Sequence, residues 1–426
     1  MIAPTTQSSK HDTDTQFRHV TLPSGLRVVA DIDTRGYSAA MGYFVRAGAR
    51  DETDPESGLS HFLEHMMFKG TERRSAADVN RELDELGGQS NAFTSEEQTV
   101  YYASVIPKYQ DRLVDLLSDM MSPSLRDEDF ETERQVILEE IAKYEDQPPF
   151  GAFERSVEVY FGPRGLGRRV LGTVESIEAM TADAMRAYFH RRYRPENIVL
   201  AASGNVDFDA LVRQVTSATQ HWEERPVAAA LPPDPSSLPV GISQDVRLSA
   251  PDASQAYRVT IQPGLNMNQA DRFAMRLLCS VVGDDGGSRL FWDLIDTGRA
   301  EVATLWSQEF TDTGGLFTYL VCGPDDLKSN QKLMNDVFRR VVDSGIEEKE
   351  LEQAINKTVA GCIMQSERPS GRLFAMGSRW LFCNDRLSTD DLLAAYRSVT
   401  VDDVQRVARE YLCAEAMEVI ASADAN

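Results

Sequence analysis

The sequence predicts an α+β protein made of two homologous domains of about 200 residues, each a mostly antiparallel sheet packed with helices. Three observations carry this expectation. Strand-like runs are broken by pairs of helical segments. A proline-rich stretch at 227–241, VAAALPPDPSSLPVG, can neither continue a helix nor pair in a sheet interior, so it reads as a linker. The order of elements before that stretch recurs after it, with little residue identity shared between the halves. The expected organisation is therefore a flexible N-terminus (1–16), a first domain (17–226), the linker (227–241) and a second domain (242–426).

Along the first half, HVTLPSGLRVVADI reads as two strands about a turn at Pro23, Ser24 and Gly25, and SAAMGYFVRAGARDE as a longer strand with apolar positions on both faces. A helix is expected from about Glu56 to Phe68. A second follows in SAADVNRELDEL, with Ser75 as its N-cap and Gly87 and Gly88 as its stop. QSNAFTS and TVYYASVI form a strand pair, then three or four helical segments run to Arg194, IVLAASGNV returns as a strand and DFDALVRQVTSATQHW as a helix. Beyond the linker come strands in VRLSA and AYRVTIQP, helices in RFAMRLLCSVV and SRLFWDLID, a strand pair in VATLWSQEF and LFTYLVC, several helices and a last strand in MEVIAS.

Composition excludes several classes. With 426 residues, 42% of them hydrophobic, the chain has enough apolar material for large cores and is not a disordered polypeptide. A net charge of −23 repels nucleic acid and anionic lipid, so neither is an expected partner, whereas a basic peptide is compatible. No stretch reaches the roughly 18 apolar residues of a membrane span, and the N-terminal residues lack the apolar core of a secretory signal. The five cysteines lie at long spacings with no C-x-x-C pair. The expected address is the cytoplasm.

Histidine is scarce, and none of the six follows the linker: they stand at 11, 19, 61, 65, 190 and 221. His61 and His65 lie four apart in GLSHFLEHMMFKGT, on one face of the expected helix, with Glu64 at its edge. This is an inverted H-x-x-E-H zinc-peptidase pattern. Two neutral imidazoles on consecutive turns can grip one zinc ion, and the adjacent carboxylate can hold and deprotonate a water. The rest of the helix is apolar (Leu59, Phe62, Leu63, Met66, Met67, Phe68), so these polar groups need partners. For a third ligand the helix in RDEDFETERQVILEEIAKYEDQ places Glu133, Ile137, Glu140, Ile141 and Tyr144 on one stripe. Glu140 is preferred over Glu139, which is rotated by about 100° toward Val136. Glu133, two turns earlier, could orient a ligand histidine or be a solvated surface acid.

GLSHFLEHMMFKGT, LDELGGQSNAFTSEEQTVYY, ERQVILEEIAKYEDQP and YRPENIVLAASGNVD together resemble the pitrilysin/insulinase superfamily of zinc metallopeptidases, in its short two-domain subfamily that includes mitochondrial processing peptidase. The resemblance implies His61, His65 and Glu140 as zinc ligands and Glu64 as general base. It also implies a chamber between two domains and an extended substrate bound beside an edge strand, here QSNAFTS, with Asn91 and Ala92 near the scissile bond. An exposed strand edge offers unpaired N–H and C=O groups to a peptide, which is the physics such binding needs.

One departure bears on assembly. Active single-chain relatives carry, after an S-R-L-F segment in the second domain, an arginine and, seven residues on, a tyrosine that polarise the substrate carbonyl. Here Ser288-Arg289-Leu290-Phe291 is present, but the matching positions hold Ile295 and Val302, whose side chains donate no hydrogen bond. In some family members the two roles fall to different subunits, and this chain resembles the zinc-bearing one. The expected state is a heterodimer with a homologous subunit carrying the Arg/Tyr pair. A homodimer using Arg289, Arg299 or another donor is the alternative. The expected function is zinc-dependent endoproteolysis of extended peptides, set against a non-catalytic scaffold or peptide-binding subunit with a vestigial zinc site.

Overall fold

In the computed structural model the described residues are 15–145, 147–224, 245–249 and 253–423. The expected linker at 227–241 and most of the expected flexible segment 1–16 lie outside them. In the first half the turn at Gly25 (φ 92°) joins β1 (Thr15–Thr21) to β2 (Arg27–Asp33). β3 (Ala39–Val45) is buried at every position, as a strand with helices on both faces must be. There follow α1 (Leu59–Met66), α2 (Ala76–Glu85), β4 (Gln89–Thr94), β5 (Thr99–Val105), α3 (Gln110–Met120), α4 (Asp127–Glu145), α5 (Pro148–Phe161), α6 (Val174–Ala179), α7 (Ala182–Arg192), β6 (Ile198–Gly204) and α8 (Phe208–Ala218). Ser75 caps α2, as expected, by accepting from the Asp78 N–H.

The three or four helical segments expected before Arg194 resolve into five, α3 to α7. The additional breaks come from caps: Thr173 accepts from the Ser176 N–H and Thr181 from the Ala184 N–H, each starting a new short helix. The second half contains β7 (Asp245–Ser249), β8 (Ala256–Pro263), α9 (Arg272–Gly283), β9 (Val302–Glu309), β10 (Gly314–Cys322), α10 (Leu327–Ser344), α11 (Glu348–Glu367), α12 (Pro369–Cys383), α13 (Thr389–Arg397), α14 (Val401–Val407) and β11 (Met417–Ser422). The expected helix in SRLFWDLID contains a π-helical turn, Phe291–Ile295.

The first sheet runs β1-β2-β6-β3-β5-β4 and the second β7-β11-β8-β10-β9. Apart from β1, the two orders correspond strand for strand, and each sheet is antiparallel except for one parallel pair, β2 with β6 and β7 with β11. The expected reuse of one mostly antiparallel fold is therefore present. β4 forms an edge, paired only with β5 among the described residues, with Asn91 opposite Tyr102 and Ala92 opposite Tyr101.

The described residues fall into two compact units that do not follow the chain contiguously. One takes those within 1–141, 168–234 and 364–387, and the other those within 142–167, 235–363 and 388–426. The contiguous spans 17–226 and 242–426 differ from this division by two exchanged segments. In the first unit, one sheet face (Val28, Met41, Tyr43, Leu200) packs under helices α1, α3, α7 and α8. The other face (Phe44, Val100, Val199, Ala201) is covered by Leu373, Met376 and Trp380 of α12. In the second unit, α5 does the same work: Ala152, Tyr160 and Phe161 cover Val259, Ile261, Phe317 and Val419. Each exchange buries a sheet face that would otherwise lie open to water.

The β4–β5 turn is seated on the segment after β3, where the Ala49 N–H donates to Ser95 O (3.2 Å) and the Arg50 N–H to Glu96 O (2.8 Å). A Cβ on Gly48 would collide with those two carbonyl oxygens. Gly48→Ala is expected to lower stability by about 1–3 kcal/mol, read as a reduced urea midpoint at unchanged m-value.

Candidate metal centre

The site begins with the placement of α1. Its N-cap, Gly58, has φ 92°, a conformation that disfavours a side chain, and a Cβ there would approach Leu171 O at 2.7 Å. The first turn is held by a buried acid from the preceding loop: Glu52 accepts from the Gly58 N–H at 2.8 Å and from the Ser60 N–H at 2.6 Å, two donors a helix start leaves unsatisfied. Burial pushes the Glu52 carboxyl up to about 8, with the Ser60 and Gly58 N–H groups acting against the shift. Leu59, Phe62, Leu63 and Met66 enter the core of the first unit, which fixes the rotation of the helix.

That rotation sets the His61 and His65 rings 4.7 Å apart between centroids, at 66°. α4 supplies the acids. Phe130, Ile137 and Ile141 are buried, Glu140 is half-buried and Glu139 is exposed, so Glu140 is the one that shares the apolar side of the helix. Glu140 Oε2 lies 3.7 Å from His61 Nε2 and 3.7 Å from His65 Nε2. The three residues each offer one ligand atom within 4.8 Å of the others. These spacings are too long for hydrogen bonds, yet suit three donors around one ion. Bonds of about 2.0–2.2 Å in a tetrahedral shell put neighbouring donor atoms about 3.3–3.6 Å apart. The donor set, two imidazoles and a carboxylate, is one that zinc accepts with a position to spare.

The electrostatics of His61 agree with this fit. Burial, with the neighbouring His65, lowers the His61 pKa to about 4, so its ring is neutral at pH 7, as a ligand must be. Burial also disfavours charge on His65, but the Glu133 hydrogen bond and the charges of Glu133, Glu140 and Glu64 outweigh it, and the net shift is upward. His65 Nδ1 lies 3.1 Å from Glu133 Oε2, which directs Nε2 toward Glu140. Glu133 is 3% exposed, and an ion pair with Lys69 helps to satisfy it. Burial raises the Glu133 pKa, yet the His65 and Lys69 contacts bring it below the ordinary value. His61 Nδ1 is buried and makes no hydrogen bond among the described residues.

Glu64 completes the cluster from the same helix. Burial raises its pKa, opposed by a hydrogen bond from Thr94 Oγ1 to Oε2 at 2.7 Å and by His65, and reinforced by Glu140. Thr94 is the last residue of β4, so the edge strand touches the acid of the motif directly. Ala92 is buried in the core shared with α1, whereas Asn91 is exposed and its side-chain oxygen accepts from the Ala92 N–H at 2.9 Å. The structure therefore brings His61, Glu64, His65, Glu133 and Glu140 together and sets Asn91 and Ala92 on the adjoining strand.

Three contributors were not singled out from sequence: Glu52, Lys69 and Thr94. Lys69 stands one turn beyond His65, and Thr94 two residues beyond Ala92 on the same strand face, so both had a periodicity signal. Glu52 lies in a loop with none. In the second unit Ile295 packs at the edge of the core and Val302 opens β9, opposite Val321. Arg289 is engaged by Glu350 through two hydrogen bonds (2.8 and 2.7 Å) and donates to Gly345 O at 3.1 Å.

Comparison with known proteins matches residues 27–174 to the insulinase model of peptidase family M16 and residues 179–358 to the model described as the M16 inactive domain. The chain belongs to peptidase family M16. Among relatives of this M16 chain, an uncharacterized zinc protease of Streptomyces coelicolor is 36% identical over 399 residues, covering 93% of this chain and 87% of the relative. The β subunit of the mitochondrial processing peptidase of Lentinula edodes is 29% identical over 412 residues, covering 92% and 86%. A crystal structure of a Helicobacter pylori protease shares the fold at TM-score 0.91, with 21% identity, covering 96% of this chain and all of that one. The resemblance read from the motifs is thus the family found, and the absence of histidine after residue 221 accords with a second model named as inactive.

The Glu52 contact in this M16 chain yields a stability test. In Glu52→Gln one of the two backbone N–H groups would face an amide NH₂ in place of an acceptor, a loss of about 1–3 kcal/mol in denaturant unfolding. Between its ordinary value of 4.5 and about 8, Glu52 holds a proton in the folded chain that the unfolded chain releases. Its contribution is therefore whole below the ordinary value and lost as pH rises through about 8. Over that window the variant is expected to lose less stability with rising pH than the wild type.

Proposed function

We propose that this chain is a zinc-dependent endopeptidase acting on extended peptides, and that it serves as the zinc-bearing subunit of a heterodimer. The convergence of His61, His65 and Glu140 on one point, beside an acid and an open strand edge, carries this reading. His61, His65 and Glu140 would hold the ion, and Glu133 would orient His65. When bound, zinc supplies Lewis acidity toward a water and the scissile carbonyl.

The chain's own residues do the rest. The free edge of β4, at Asn91 and Ala92, pairs with the substrate backbone and holds it extended. The Glu64 carboxylate takes the proton of the attacking water and returns it to the departing amine. No serine or cysteine nucleophile is required. Ile295 and Val302 offer no side-chain donor for the oxyanion, and Arg289 is committed to Glu350. A homologous subunit bearing the missing pair supplies that function, which suits a chain with a processing-peptidase β subunit among its relatives. No helix of the described residues is long and apolar enough to cross a membrane, and we place the protein in the cytoplasm.

Turnover of a quenched peptide library, with and without chelator, tests the activity. Chelation is expected to abolish it, with about one zinc per chain in the untreated protein. Glu64→Gln should retain zinc while kcat falls by about 10²-fold or more; near-normal turnover would remove Glu64 as the base. Glu140→Gln should weaken zinc retention more than Glu139→Gln, measured by metal analysis after dialysis, and the reverse order would move the ligand role to Glu139. Purification from the native source should yield a 1:1 complex with a second family member, and full activity of the isolated chain would refute that assembly.

A further inference from the structure

Glu64 has to present its carboxylate in one orientation, yet nothing on α1 holds it there. Among the described residues its hydrogen-bond partner is Thr94 Oγ1, which donates to Oε2 at 2.7 Å, while Oε1 makes no hydrogen bond. Thr94 Oγ1 has one other close neighbour, Thr99 Oγ1 at 3.4 Å. Thr99 donates its own proton to Ala47 O at 2.8 Å, so it offers Thr94 only a lone pair, and at a longer distance than Glu64 does. The Thr94 proton therefore goes to the carboxylate. We propose that Thr94 is a positioning residue: resting on the peptidase reading, its hydroxyl clamps one oxygen of Glu64 and leaves the other to take the proton of the attacking water.

The location of Thr94 gives the clamp a second consequence. It is the terminal residue of β4, next but one to Ala92, so the strand that receives the peptide also carries the group that aims the base. The β4–β5 turn that follows is fastened to Ala49 and Arg50 by backbone hydrogen bonds and by the buried Arg50–Glu97 pair at 2.6 Å. Thr94 is thus fixed from its C-terminal side, and its hydroxyl acts from a rigid support.

The test compares wild type, Thr94→Ser and Thr94→Val as full-length protein in the complex that co-purifies from the native source, with kcat, KM, zinc per chain and melting temperature measured for each. The probe is a library peptide that wild type cleaves in a chelator-sensitive manner. Valine keeps the shape and removes the donor, and is expected to lower kcat about 10- to 100-fold with KM, zinc content and melting temperature close to wild type. Serine restores the hydroxyl and should recover most of kcat. Unchanged kcat in Thr94→Val, a rise in KM alone, or a loss that tracks zinc or melting temperature and is not recovered by serine would each overturn the assignment. Wild type that, purified with its native partner, shows no chelator-sensitive cleavage of any peptide would instead remove the peptidase reading itself, and the role of Thr94 with it.

Discussion

Two imidazoles and three carboxylates placed against an apolar wall form the constraint on which the first unit is organised. His61 is 8% exposed and Glu133 3%. Charges or unpaired polar atoms at such positions cost several kcal/mol unless each finds a partner. The chain meets that demand with pairs: His65 with Glu133, Glu133 with Lys69, Glu64 with Thr94. Besides His61 Nδ1 and Glu64 Oε1, the atoms left unmatched in the cluster face one common point, His61 Nε2, His65 Nε2 and Glu140 Oε2, at spacings that an ion fills and a hydrogen bond does not. A cluster kept for packing alone would be expected to close that gap.

Duplication explains why the chemistry sits in one half. Both sheets carry the same strand order with one parallel pair, and both receive a helix from a distant part of the sequence on their second face, α12 on the first and α5 on the second. The scaffold is thus used twice, whereas the imidazoles are confined to the first copy. In the second copy the positions expected to carry oxyanion donors hold Ile295 and Val302, and its nearby arginine is tied to Glu350. The two copies diverged in side chains while the backbone order stayed fixed, as sites grafted on a shared fold do.

Much of this was legible in the sequence because it rests on local periodicity. The spacing of four between His61 and His65 and the apolar stripe of α4 need only helix geometry, and that geometry separates Glu140 from the exposed Glu139. QSNAFTS was readable as a strand, and the family resemblance singled out Asn91 and Ala92 on it. What escaped was non-local. The exchange of α5 and α12 between units depends on which sheet face is left uncovered, and no window of sequence reports that. The Glu52 contact spans a loop whose path is set by tertiary packing, so no local pattern in the sequence marks its carboxylate. The five helices before Arg194 were undercounted because Thr173 and Thr181 act as caps only once the preceding segment has turned away.

The contacts around β4 join what would otherwise be separate devices. The β4–β5 turn rests on Ala49 and Arg50, the next residue but one after Arg50 is Glu52, and Glu52 grips the first turn of α1. From the start of the β4–β5 turn, Thr94 reaches Glu64 on α1. Strand, turn, loop and helix therefore close a ring of hydrogen bonds around the acid of the motif. A peptide added to the edge of β4 would be registered against the strand that carries Thr94, so its backbone and the proposed base, Glu64, would share one reference frame. Reaction rates are sensitive to displacements of about 1 Å, and a ring of short links holds such a distance more firmly than the packing of either element alone.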